Sequence, residues 1–357
     1  MNPAQCLPVV ELTRGGLVES LHHGALAVAD AQGRLVASYG DARAVTFLRS
    51  SAKPFQALPL VESGAVERFG FTPREIALAC ASHKGLDMHA ETVAAMQAKV
   101  GVSESDLLCG EHPVEGHAPR PNRHNCSGKH TGMLALAAQR GLPFADYINP
   151  EHGVQQTILQ AFAEMCGMGA QAIGVGIDGC SAPNFAVPLL NAATGFARLA
   201  DPSGLAGPRA SALKTIFAAM TAHPEMVHGP GGFDTELMRL RPGFIVSKGG
   251  AEGYHGLALA PGALGPASPA LGIAMKTADG NSRATGVMAL ETLRQLGFLA
   301  EADLTTLAGF GFGVRVPQKN WRGLPVGEMR PCFQVISHPS SVSSRCLSDD
   351  CLLTTVH

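Results

Sequence analysis

Arg49-Ser50-Ser51-Ala52-Lys53 sets a serine three residues before a lysine. On a helix, positions three apart share a face. Lys53 would then reach the Ser50 hydroxyl and act as its general base, provided burial or neighbouring cations lower the amine pKa. Such serine–lysine pairs form acyl-enzymes on unrelated scaffolds. A helix-capping serine beside a solvated lysine would give the same spacing. Ala81-Ser82-His83-Lys84-Gly85 offers a second serine on a sharp loop, where a hydroxyl either faces solvent or bonds its own backbone. Ser247-Lys248-Gly249-Gly250 delivers a second lysine from a strand into a glycine turn. Backbone can approach a ligand closely there, and a surface hairpin with a solvated lysine would look alike.

Cys126-Ser127-Gly128-Lys129-His130 and Asp178-Gly179-Cys180 bring two thiols, an imidazole and a carboxylate from distant segments. Together they could bind a metal, zinc first among ions. No C-x-x-C or H-E-x-x-H spacing accompanies them, and buried structural cysteines are the competing reading. Nine cysteines, an odd number, argue against a disulfide framework. No phosphate-cradling glycine motif is present.

These residues need elements to hold them. Val18–Val28 and Leu35–Tyr39 read as a hairpin around Asp30-Ala31-Gln32-Gly33. A helix is expected from Ser50, kinked at Pro59. Thr72-Pro73-Arg74-Glu75 is a capping box opening the next helix, and Asp87 caps a further one ending at Gly101. Residues 172–180 read as a buried strand running into Asp178, and helices follow over 208–222 and 234–240. Phe244–Ser247, Tyr254–Ala260 and Gly272–Lys276 read as short antiparallel strands before a long helix over 282–296. Strands at both chain ends around a helical block make an α+β chain rather than a βαβ repeat. Residues 1–330 read as a single catalytic domain, and 331–357 as an irregular, disordered tail.

The chain has 357 residues, 27 Lys+Arg against 29 Asp+Glu and a net charge of −2. So balanced a surface offers no footprint for nucleic acid or anionic membrane. Glycine (42) and proline (24) are abundant, which implies many tight turns. The first residues lack a basic, then apolar, leader, and no long apolar run occurs, so a soluble cytoplasmic protein is expected.

Taken in order, Arg49-Ser50-x-x-Lys53-Pro54-Phe55-Gln56, Ala81-Ser82-His83, Asn125-Cys126-Ser127-Gly128-Lys129-His130, Asp178-Gly179-Cys180 and Lys248-Gly249-Gly250-Ala251-Glu252-Gly253 resemble the rhizobial-type (class 3, asparaginase II family) L-asparaginases. The resemblance runs over about residues 8–330, including Asn320-Trp321-Arg322-Gly323. It implies hydrolysis of the L-asparagine side-chain amide to L-aspartate and ammonia by a homodimer. The implied fold is like that of serine β-lactamases and penicillin-binding proteins, an antiparallel sheet with a helical cluster. By the same resemblance Ser50 pairs with Lys53 and Ser82 with Lys248. Zinc sits on Cys126, Lys129 and Cys180, supporting substrate binding, while Arg49 and Asp178 hold the substrate. His130 is placed in the substrate site, and Gly249 and Gly250 among the oxyanion donors. Ser50 is the favoured nucleophile because its lysine is local. The alternatives are a glutaminase, a β-lactamase-like acyl-transfer enzyme and a zinc-stabilised binding protein. The last would not depend on the serines or lysines.

Overall fold

A computed structural model describes residues 2–338. Its main sheet has nine strands, each pair antiparallel. β1 (Leu7–Arg14), β2 (Leu17–Asp30) and β3 (Leu35–Tyr39) come first in the chain. β4 (Val45–Phe47) belongs to a second sheet, and β5 (His112–Val114) with β6 (His117–Arg120) forms an isolated hairpin. β7 (Gly174–Ile177) and β8 (Pro183–Pro188) complete the small sheet in the order β4-β8-β7. β9 (Ile245–Gly250), β10 (Tyr254–Leu259), β11 (Leu271–Thr277), β12 (Val316–Lys319), β13 (Pro325–Pro331) and β14 (Ile336–Ser337) return to the main sheet. Its order is β12-β13-β1-β2-β11-β10-β9, with β3 bridging β2 and β14. β2 supports this branching because its first half pairs β1 and its second half pairs β3.

The helices divide between the sheet's faces. On one side lie α1 (Lys53–Gln56), α2 (Leu58–Glu62), α3 (Ala65–Phe69), α4 (Pro73–Ala79), α5 (Asp87–Val100), α6 (Ser127–Arg140), α7 (Gly153–Met165), α8 (Leu189–Ala200), α9 (Gly207–Ala222) and α10 (Pro224–Val227). α11 (Phe233–Leu240) runs beside β9, and α12 (Ser282–Gln295) and α13 (Glu301–Ala308) cover the other side. Strand alternation decides which face is which. Ala25, Ala27 and Ala29 of β2 face the helical block, whereas Leu26 and Val28 face α12. The small residues let α8 press against the sheet. A Cβ on Gly272 would collide with the Ala193 carbonyl, and one on Gly256 with the Phe196 ring.

The α+β class, the β2–β3 hairpin and the three antiparallel strands β9–β11 agree with expectation. Thr72 accepts the Glu75 N–H at 3.4 Å and Glu75 Oε2 accepts the Thr72 N–H at 2.6 Å, which closes the capping box. Segment 49–62 is broken into a 3-10 turn, α1 and α2, each α-helix with a proline in its first positions. Three expectations change. β7 is not buried: it is an open edge with Val175 45% and Ile177 62% exposed. Asp87 does not cap α5; His89 Nδ1 accepts the Leu86 N–H there at 3.2 Å. The tail does not begin at 331: β14 pairs β3 and Phe333 is buried against Tyr39. The rest of the expected tail, 339–357, lies outside the described residues.

Candidate active site

After β4 the chain turns sharply at Arg49, whose φ of +52° lies in the left-handed region. A non-glycine residue there costs about 1–3 kcal/mol and needs surroundings that hold it. Asn184 Oδ1 accepts the Arg49 N–H at 3.0 Å. Asp178 Oδ1 accepts from Arg49 Nε at 2.8 Å and lies 2.7 Å from Nη2. The two sequence-predicted substrate residues are thus already joined across the small sheet. Ser50 follows on the short turn Arg49–Ala52, half-exposed. Its hydroxyl has no protein hydrogen-bond partner among the described residues.

Lys53 is completely buried, yet its side-chain nitrogen reaches the second serine: Nζ donates to Ser82 Oγ at 2.8 Å and to the Asn125 carbonyl at 3.4 Å. The contact is therefore Lys53–Ser82, where the spacing suggested Lys53–Ser50. Helical spacing fixes which face the Lys53 Cβ occupies, but four further bonds decide where the amine ends. Ser82 is held in place by its loop, whose N–H groups bond the Val227 and His228 carbonyls. His83, next along, is buried and donates from Nε2 to Ser127 Oγ at 3.0 Å, since Nδ1 accepts the Gly85 N–H. Gly128 allows α6 to begin against the end of α4, because a Cβ there would strike the Leu78 carbonyl.

Lys248 enters from β9 and is 1% exposed. Its carbonyl accepts from Ser51 Oγ at 2.5 Å, which ties β9 to the Ser50 turn. Gly250 makes this approach possible, since a Cβ there would lie 2.5 Å from the Leu48 carbonyl. Nζ donates to the Gly249 carbonyl at 2.6 Å. Burial first, opposed by Asp234 and reinforced by Lys53, brings the Lys248 amine down to about 8. The Gly249 N–H is not available to an oxyanion: both oxygens of Asp234 accept it, at 3.2 and 3.0 Å. Ser51, Asn184 and Asp234 had no spacing signal in the sequence. Each acts through a contact between segments far apart in the chain.

Cys126, Lys129, His130 and Cys180 converge, all buried. Lys129 Nζ donates to Cys180 Sγ at 3.1 Å. The Cys126 thiol and then the Lys129 ammonium hold the Cys180 sulfur well below its usual range. Burial alone would lower the Lys129 pKa, but the two sulfurs push it up. His130 Nδ1 meets the Tyr147 hydroxyl at 2.7 Å. Its Nε2 is buried beside Cys180 without a hydrogen bond, and burial lowers the imidazole to about 4. His130 thus packs with the sulfurs and not with the Arg49–Asp178 pair. Among the described residues no three His, Cys, Asp or Glu side chains cluster for a metal. Two soft sulfurs are of the type zinc prefers, but Lys129, held protonated beside them, has no lone pair to offer a metal in that form.

A free serine hydroxyl on a strained turn, a second serine under a buried lysine and an adjacent Arg–Asp pair are groups that acyl transfer to water can use. The family model described as L-asparaginase II matches residues 10–331. The chain belongs to that family and is an amidohydrolase. No curated protein matches it. Among solved structures, Mglu in its native form is 16% identical at TM-score 0.39, covering 78% of this chain and 65% of its own. A Mycobacterium bovis β-lactamase is 15% identical at TM-score 0.40, covering 73% and 89%. A Bacillus subtilis glutaminase bound covalently to 5-oxo-L-norleucine is 14% identical at TM-score 0.35, covering 76% and 87%. These likenesses are distant. Among the described residues no helix is long and apolar enough to cross a membrane.

Proposed function

We propose that this protein hydrolyses the side-chain amide of L-asparagine to L-aspartate and ammonia through an acyl-enzyme. Family membership and the Lys53–Ser82 contact of 2.8 Å carry this reading. Ser50 Oγ, free on its strained turn, attacks the carboxamide carbon while its proton passes to the Lys53 amine. Ser82, bonded to that amine, relays the proton to the departing nitrogen, so the C–N bond breaks as ammonia forms. Lys248 then takes a proton from the water that attacks the ester and gives it back to Ser50 Oγ as the ester C–O bond breaks, so aspartate leaves and the serine hydroxyl is restored. Arg49 supplies positive charge for the substrate carboxylate, and Asp178 keeps that guanidinium in place while offering an acceptor to the α-amino group. One methylene separates asparagine from glutamine, worth about 1–3 kcal/mol in a fitted pocket.

A second assignment rests on the same contact: Ser82, the serine that the lysine actually touches, could be the acylated one. Covalent trapping with a diazo-ketone analogue of asparagine, followed by peptide mass spectrometry, separates the two. A label on the Ser50 peptide supports the first, and one on the Ser82 peptide replaces it. Zinc on Cys126, Cys180 and Lys129 belongs to the same proposal and requires Lys129 to give up its proton; the ion would then supply positive charge that orders the pocket. A cytoplasmic homodimer completes the proposal, with light scattering as the check on its size.

A further inference from the structure

Ser82 lies on an irregular loop between α4 and α5, and the imidazole of the next residue has no part in the proposed chemistry. His83 is 2% exposed. Its Nδ1 accepts the Gly85 N–H at 3.1 Å, which leaves the ring hydrogen on Nε2. That hydrogen is donated to Ser127 Oγ at 3.0 Å, and the Ser127 hydroxyl donates in turn to the Asn122 carbonyl at 2.9 Å. His89 stacks on His83, with ring centroids 4.9 Å apart and planes 16° from parallel. It repeats the arrangement: Nδ1 accepts the Leu86 N–H at 3.2 Å and Nε2 donates to the Glu225 carbonyl at 3.0 Å. Two successive loop amides therefore end on imidazole nitrogens. The Ser82 and Lys84 N–H groups instead reach the Val227 and His228 carbonyls.

We propose that His83 is the positioning residue for Ser82: its two ring nitrogens tie the loop to its own next turn and to α6, so that the Ser82 hydroxyl stays on Lys53 Nζ. Two backbone bonds to one neighbouring segment fix a line, about which the loop could still turn. The Ser127 contact reaches a different element and supplies the third point. That point is firm, because Ser127 opens α6 and the next residue, Gly128, seats the helix against the Leu78 carbonyl. The far end of the loop is seated as closely. Gly85 has a φ of +68°, a Cβ on it would lie 2.4 Å from the Arg123 carbonyl, and its own carbonyl accepts from Arg123 Nη1 at 2.8 Å. Between these fixed ends the His83 ring decides where the Ser82 backbone sits, and a serine side chain is too short to make up for a displaced backbone.

The effect on turnover rests on the function proposed above, but the hold on the loop does not, and the two are read separately. Nitrogen NMR of the wild-type protein near pH 8 should find His83 with a bare Nδ1 and a protonated Nε2. The opposite tautomer overturns the proposal. Amide exchange reports on the loop itself. His83→Leu should speed exchange at Gly85, and also at Ser82, whose N–H His83 does not touch, by at least about tenfold, with the α4 amides unchanged. In the same variant kcat for ammonia release from L-asparagine should fall about 10- to 100-fold with KM little changed. A merely structural histidine would lower the melting temperature and leave kcat of the folded protein alone. His83→Asn keeps an acceptor for the Gly85 N–H and loses the tie to Ser127, so its exchange and its kcat should fall between wild type and His83→Leu. Wild-type exchange at Ser82 or a wild-type kcat overturns the proposal, in His83→Leu or, where that variant does not fold, in His83→Asn. Faster Ser82 exchange in the variants of a protein that never releases ammonia would sink the proposed function and leave His83 holding the loop.

Discussion

Lys53 is where the residue-scale account is most exposed to test. Buried, and bonded to Ser82 Oγ, it serves proton transfer in either assignment of the nucleophile. Lys53→Ala should therefore lower kcat by about 100- to 10,000-fold with KM little changed, as general-base loss does. Steady-state kinetics would contradict this if the variant kept near-normal turnover. Lys248, held near 8 by burial, predicts a rate that climbs between about pH 7 and 9 as the neutral amine accumulates. A profile flat over that range would remove Lys248 from proton transfer. The chemistry-bearing residues themselves were legible in the sequence, because serine and lysine types recur in one ordered set of segments. Their contacts were not. A lysine amine lies a long flexible stem away from its Cα, so Lys53 could satisfy Ser50 spacing and still bond Ser82.

At the scale of elements, the site depends on close approaches that small residues permit. Gly250 lets β9 touch the Ser50 turn. Gly250→Val should separate them at a cost of about 1–3 kcal/mol from overpacking, with activity lost well before the fold. Equal activity at a reduced melting temperature would contradict that. The sulfur pair joins α6 to the turn between β7 and β8. Protein purified without chelator should contain zinc, and its removal should raise KM more than it lowers kcat. Metal analysis finding none would refute the assignment. Local signals predicted the Thr72–Glu75 cap and the β2–β3 hairpin because both are closed by residues a few positions apart. β1, β12 and β13 carried no comparable signal. β13 pairs with β1, so both became strands only when the two ends of the chain met. β7 read as buried from its apolar residues, yet it is the edge of a three-stranded sheet, and one flank stays open.

For the whole molecule, the near-balanced charge and the mixed serine, lysine, arginine and aspartate chemistry of the proposed site are compatible with a small zwitterionic substrate. Asparagine should be favoured over glutamine in kcat/KM, by about 10- to 200-fold if one methylene decides. Equal values for the two amides would widen the substrate assignment without touching the serine–lysine chemistry. The most direct test of the central claim is ammonia release from L-asparagine by the wild-type protein and by Lys53→Ala, assayed side by side near pH 8. The account predicts steady turnover by the first and a loss of at least about 100-fold in the second. No ammonia from the wild type, or equal rates from both, would contradict it.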